Sequence, residues 1–296
     1  MRVLNFGSLN RDLVYNVAHA VRPGETLASV KRETFCGGKG LNQSLALARA
    51  GAQVSHAGCI GSDGDELRSM LEASGVDTRF VRKVEGSSGH AVIQVDPSGQ
   101  NSILLYAGAN RQVTPAYADE VLANFGEGDL LVLQNEISAI PHIMRQAKAR
   151  GMRIAWNPSP FAPELTGYPL DTVSFFVVNE IEGAELTGET EPEGILARMR
   201  TAYPTACTLL TLGSQGAVYD DGTQVYRAGC FDVPVQDTTA AGDTFLGYFL
   251  ATLDHCGPAA ALRIASAASS LAVSVKGAAN SIPVMHQVET FLAQQK

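Results

Sequence analysis

Two rhythms alternate along this chain. Short, nearly unbroken apolar runs at 3–7, 54–60, 129–134, 153–157, 175–178 and 208–212 predict buried strands. Between them apolar residues return every three or four positions, which predicts helices over 39–50, 65–74, 115–124, 141–150, 180–187 and 194–202. Two longer helices are expected at 242–253 and 258–275, the second rich in Ala and Ser and so suited to close helix packing. Strands alternating with helices imply an α/β fold, a mostly parallel central sheet flanked by helices. Two stretches break the alternation. Residues 13–35 and 89–108 carry a period of two, the second turning at Asp96-Pro97-Ser98-Gly99, and predict a small discontinuous β-sheet lid on a single domain spanning 1–296.

Composition narrows the function without naming it. Of 296 residues, 45% are hydrophobic and 18% charged, an ordinary globular balance. The net charge of −8, with no basic block, argues against nucleic acid and anionic membranes as partners. A phosphate ligand would therefore need local backbone donors and a metal ion. Five cysteines, odd in number and without a CxxC pair, fit a reducing, cytoplasmic setting. Asn5, Asn10 and Arg11 interrupt the first apolar residues too early for a secretory signal, and no apolar run is long enough to span a membrane.

Chemistry concentrates in a few motifs. DTTAAGDTF opens the first of the long helices: small Ala240, Ala241 and Gly242 allow a tight turn that leaves amides bare at an anion-binding helix start. Asp243 stands among them, placed to accept a hydroxyl proton, or simply to cap the helix with Thr244. GGKGLNQ, from Gly37, is neither a Walker A loop nor a dinucleotide fingerprint, and by itself reads as a tight strand-to-helix turn. GSLNRD puts Asn10 and Asp12 beyond the first strand, as hydroxyl partners or as an Asx turn. Asn179 and Glu182 lie one helical turn apart, suited to a hydrated magnesium ion or to capping. TLGSQG offers Thr211, Gly213, Ser214 and Gly216 to phosphate or nucleoside, and Glu136 after a strand is a candidate acceptor for sugar hydroxyls. Neither HExxH nor GxSxG occurs, which disfavours zinc and α/β hydrolases.

Taken in order, GSLNRD, PGET, GGKGLNQ, AGAN, NEIEGAEL, TLGSQG, DTTAAGDTF and KGAANSIP resemble the ribokinase (PfkB-type) family of sugar kinases over essentially the whole chain. The PGET, GGKG, AGAN and KGA elements place the likeness in the ribokinase branch. That resemblance implies transfer of the γ-phosphate of ATP to a sugar hydroxyl, with Asp243 as base and Ala240, Ala241 and Gly242 in an anion hole. It implies a ribose site of Asn10, Asp12, Gly38, Lys39, Asn42 and Glu136, with Ala91 and Ile93 on the covering lid. ATP would meet Asn179, Thr211, Gly213, Ser214 and Gly216, and magnesium would meet Glu182 through water. Potassium would meet Asp237, Thr239, Ala272, Val275, Gly277 and Ser281. A homodimer joined through the lids is expected, since open strand edges need pairing. Alternatives are a related kinase acting on deoxyribose, a nucleoside, a ketohexose or a 2-keto-3-deoxy acid, and a non-catalytic sugar-binding protein. The chain departs from the family pattern at Arg11, Cys36, Leu41 and Asn135.

Overall fold

The computed structural model describes residues 2–295. The chain enters as β1 (Arg2–Phe6), leaves through β2 (Asn10–Asn16) and β3 (Lys31–Gly37), and returns as α1 (Lys39–Arg49), β4 (Gln53–Ile60), α2 (Asp65–Ala73) and β5 (Asp77–Lys83). A second excursion makes β6 (Gly89–Val95) and β7 (Asn101–Tyr106). The body resumes with α3 (Pro115–Leu122), β8 (Leu130–Leu133), α4 (Ile140–Ala149), β9 (Arg153–Trp156), β10 (Phe175–Asn179), α5 (Glu180–Thr187), α6 (Pro192–Ala202) and β11 (Cys207–Thr211). The hairpin β12 (Ala217–Asp220) and β13 (Val225–Ala228) then leads to α7 (Ala241–Cys256), α8 (Pro258–Val273) and α9 (Met285–Gln294).

Within these residues the body is a nine-stranded sheet in the order β13-β12-β11-β10-β9-β8-β1-β4-β5. Every pair from β11 to β5 is parallel, while β12 pairs antiparallel with both β11 and β13. Alternate residues of each strand feed two cores. Val3, Val132 and Val177 face α1, α7 and α8, while Leu4, Leu131 and Val178 face α3, α4 and α6. Trp156 is fully buried between Tyr168 and Phe176.

The chain builds outward from β1 to β4 and β5, then resumes on the other side of β1 at β8. That reversal opens a crevice at the carboxyl ends of β1 and β8, the place where open α/β sheets bind ligands. A separate four-stranded sheet, β3-β2-β6-β7, stands beside it.

Two details differ from the sequence reading. The lid strands reach further toward the body, β2 beginning at Asn10, so Asn10 and Asp12 belong to a strand rather than to a turn. The middle pair, β2 with β6, is parallel: side-chain alternation reports which residues share a face but carries no information on strand direction. β5 and α9 have no counterpart among the predicted elements. No helix among the described residues is long and apolar enough to cross a membrane.

Candidate active site

The crevice is closed at its floor by Ser8 and Glu136. Glu136 Oε2 accepts from the Ser8 hydroxyl and, at 3.1 Å, from the Lys39 amide. The next two amides of α1 are also engaged, Gly40 with Ser8 Oγ at 3.1 Å and Leu41 with the Ser8 carbonyl at 3.0 Å. These bonds require α1 to lie against the end of β1. Gly40 permits it, because a methyl there would fall 2.3 Å from the Ser8 nitrogen. Gly40 thus serves helix-to-strand packing, and the first amides of α1 are spent within the protein.

The start of α7 is different. Ala240 adopts a left-handed conformation, φ 62°, before the first helical residue. The Ala241 amide donates to Thr238 O at 3.3 Å and the Thr244 amide to Ala240 O at 2.8 Å. Gly242 and Asp243 therefore supply the bare amides of this turn, and Ala241 contributes less than its motif suggests. Asp243 is 7% exposed; its Oδ2 accepts from Asn42 Nδ2 at 3.1 Å and its Oδ1 from Gln43 Nε2 at 2.8 Å. These contacts need α7 pressed onto α1. Gly247, one turn below Asp243, makes that approach possible: a methyl there would lie 2.4 Å from Ala46 Cβ. Burial works against the Lys39 ammonium, but the charges of Asp243, Glu136 and Glu182 more than reverse it and raise its pKa.

Two cavities meet at this turn. One of about 250 Å³ is lined by Lys39, Asn157, Asn179, Glu182 and Asp243. A neighbour of about 560 Å³ is lined by Gly213, Ser214, Gly216, Phe231 and Val273. Both include Thr211, Thr238, Ala241 and Gly242. The larger suits a nucleoside, its apolar wall a base, and the shared rim a polyphosphate at the helix start. Asn179 and Glu182 form a capping box, Asn179 Oδ1 accepting the Glu182 amide at 2.8 Å and Glu182 Oε2 the Asn179 amide at 3.1 Å. Among the described residues no three acidic, His or Cys groups converge to hold a metal directly. A magnesium ion here would be held through water and phosphate oxygens, with Glu182 at its periphery.

On the lid side, Asp12 pairs in register with Ala91 and Val14 with Ile93, so all four share one face. Asn10 Oδ1 accepts from Asn110 Nδ2 at 2.7 Å. Burial, then the charge of Glu136, pushes the Asp12 carboxyl up to about 7; burial also raises Glu136, opposed in part by Ser8 and Lys39. Asn42 Oδ1 is buried and has no hydrogen-bond partner among the described residues, an acceptor available to a ligand hydroxyl. Gly38 enters α1 with φ 91°. The departures from the family pattern point elsewhere. Arg11 pairs with Glu66 and Asp63 at 2.8 and 3.1 Å, and Leu41 is core. Asn135 donates to Pro160 O, and burial raises the Cys36 thiol to about 11.

Asp237 closes the loop before α7. It accepts from the Thr239 amide and hydroxyl at 2.9 and 2.6 Å and from the Gly277 amide at 3.0 Å. Burial opposes its charge, but these donors outweigh it and hold the carboxyl below its ordinary value. The Ala272 carbonyl accepts from the Val275 amide, and the Ser281 hydroxyl donates to Ala278 O. Five further residues line or join the site: Ser8, Gln43, Asn110 and Thr238 sit inside the quoted motifs, whereas nothing local marks Asn157. A further cleft of about 430 Å³ opens at the opposite edge of the sheet, but its cations Arg2 and Arg79 are already paired with Asp129 and Asp77.

Residues 2–285 match the pfkB family of carbohydrate kinases. The chain is 34% identical to a ribokinase of Haemophilus influenzae, over 97% of this chain and 96% of that protein. It is 31% identical to a deoxyribokinase of Salmonella typhi, over 99% of both. Its fold superposes on a ribokinase of Arabidopsis thaliana complexed with ribose and ATP, with a TM-score of 0.86 and 30% identity over 98% of each chain.

Proposed function

The chain belongs to the pfkB family of carbohydrate kinases and is an ATP-dependent sugar kinase; on that premise we propose that its acceptor is ribose, phosphorylated with Asp243 as base. The observation that carries the reading is the juncture at α7, where one carboxylate and two bare amides stand between a nucleoside-sized cavity and the Asn42–Glu136 crevice. Asn10, Asp12, Gly38, Lys39, Asn42 and Glu136 take the sugar hydroxyls, and the lid face bearing Ala91 and Ile93 covers them. Thr211, Gly213, Ser214, Gly216 and Asn179 take the nucleotide.

Asp243 accepts the proton of the attacking hydroxyl as that oxygen bonds the γ-phosphorus and the bond to the ADP oxygen breaks; the proton leaves later to solvent. The Gly242 and Asp243 amides and Lys39 stabilise charge on the transferring group. Magnesium, if held through water near Glu182, would supply neutralisation of the charge on the nucleotide phosphates. Aligning two reactants in this way can supply about 7–11 kcal/mol of a barrier. Asp243→Asn should lower kcat about 10²–10⁴-fold, measured as ADP release with ribose; unreduced turnover would reject the base assignment.

The similarity to a deoxyribokinase favours deoxyribose as the second reading, and a panel of ribose, deoxyribose, hexoses and nucleosides separates the two by kcat/KM. A monovalent cation beside Asp237, Thr239 and Ser281, with the carbonyls of Ala272 and Val275 and the loop at Gly277, would hold the loop that leads into α7. Equal rates in sodium and potassium would count against it. The four lid strands act as one mobile cover, and two lids join through β7, whose Ile103, Leu104, Leu105 and Tyr106 are all more than half exposed. Leu104→Lys should convert a dimer to monomer by sedimentation.

A further inference from the structure

Asp243 is not held by its own helix alone. A file of buried amides runs from it through the core. Gln43 Nε2 donates to Asp243 Oδ1, and Gln43 Oε1 accepts from Gln134 Nε2 at 2.7 Å. Gln134 Nε2 also donates to Asn5 Oδ1 at 2.9 Å, and Asn5 Nδ2 donates to Gly40 O and Ser44 Oγ at 2.7 and 2.8 Å. Ser44 Oγ meets His56 Nδ1 at 2.7 Å. Gln43, Gln134, Asn5, Ser44 and His56 are all 1% exposed or less.

The charge at one end gives this file its direction. An ionised carboxylate only accepts, so Gln43 must turn its N–H toward Asp243 and its carbonyl away. That carbonyl then requires a donor, which Gln134 supplies, and each amide further in is oriented by the one before it. A side branch leads to the metal side: Gln43 Nε2 lies 3.3 Å from Asn157 Oδ1, and Asn157 Nδ2 lies 3.4 Å from Glu182 Oε2. A core of this kind could be filled by apolar side chains of the same size; here the five buried polar residues bond to one another, with only Gln134 Oε1 and His56 Nε2 left without a partner among the described residues.

We propose that Gln43 is a positioning residue for phosphoryl transfer: locked by Gln134 from behind, it fixes the rotamer of Asp243 so that the carboxylate edge not bound to Asn42 and Gln43 points at the acceptor hydroxyl. The inference rests on the reading of Asp243 as base. It also explains why Asn42 and Gln43, adjacent on α1, reach different oxygens of one carboxylate: two donors define its plane where one would leave it free to rotate.

The test compares Gln43→Met, Gln43→Glu and Asp243→Asn with the wild type, using the full chain, ribose, ATP and magnesium. Gln43→Met removes the donor at nearly constant volume. It should lower kcat on the order of 10²-fold, as expected for a displaced reacting group, while both KM values stay within about threefold of wild type. Gln43→Glu places a second carboxyl against Asp243, and two carboxyls at that distance share a proton. The acidic limb of its kcat profile should therefore move to higher pH than in the wild type. Lys39 on α1, Glu136 after β8 and Glu182 on α5, the other charges facing Asp243, are the same in both proteins.

A lower melting temperature with wild-type kcat per active site in Gln43→Met marks a purely structural Gln43 and overturns the proposal, as does an acidic limb left in place in Gln43→Glu. Should Gln43→Met fail to fold, the near-isosteric Gln43→Glu carries the decision through its pH profile. Inactive Asp243→Asn beside normal Gln43 variants removes this inference alone, whereas an active Asp243→Asn removes the base assignment with it.

Discussion

A methyl group on Gly37 would lie 2.1 Å from Asp12 Oδ2, so the last residue of β3 and the carboxylate of β2 occupy each other's limit of approach. Gly37→Ala should push the Asp12 side chain off its place. The expected result is a KM for ribose raised about tenfold or more, the scale of one lost hydrogen bond to a charged group, with the KM for ATP nearly unchanged. Equal rises in both would show that the substitution disturbs more than the sugar side.

Asp12 itself ties sugar binding to pH. Its carboxyl sits at about 7 in the folded protein against an ordinary value of 3.8. Between those values the unfolded chain ionises while the folded one stays protonated, so the group costs stability as pH rises, fully so above about 7. Asp12→Asn should therefore raise the melting temperature more at pH 8 than at pH 5. The same variant should bind ribose poorly at pH 8, because only the ionised carboxylate accepts hydroxyl protons freely. In the wild type, the KM for ribose should climb as pH falls through 7.

Gly247 governs the separation of α1 and α7. A side chain there meets Ala46 Cβ at 2.4 Å and the Leu47 nitrogen at 2.8 Å, and backbone cannot step aside as a flexible side chain would. Gly247→Ala should cost about 1–3 kcal/mol of stability from overpacking and lower kcat as well, since α7 carries Asp243. Thermal melts and turnover are measured together; a loss of stability with full kcat would show that the helices separate without moving the base.

Much of this was legible in the sequence because the strands of the body are buried on both faces. β8, LLVL, is wholly apolar and short, the mark of a strand covered on both faces. β5, DTRFVRK, escaped notice because it closes the sheet at an edge and exposes its charges, leaving Phe80 and Val81 as a faint signal. The helix start bearing Asp243 was marked by its small residues. Gln43, Gln134 and Asn157 were not legible as a set: each is an ordinary amide locally, and the contacts that unite them span 91 and 114 positions. Only folding brings such residues together.

On the nucleotide side, Gly216 has φ 98°, and a methyl there would lie 2.0 Å from the Ala228 carbonyl oxygen. Gly216→Ala should open the cavity wall at the β11–β12 turn and raise the KM for ATP with little effect on that for ribose. Fluorescent nucleotide titration gives the same comparison without turnover; unaltered affinity would place the nucleoside elsewhere.

One continuous stretch, β3 running through Gly38 into α1, joins the cover over the crevice to the residues that flank the base. Its spelling is open to some change, as Cys36 and Leu41 illustrate, but its length is not. One residue inserted between Phe35 and Lys39 would turn the inner face of the lid outward and swing Asn42 and Gln43 by about 100° around the helix axis. Insertions and deletions, far more than substitutions, are what this segment excludes.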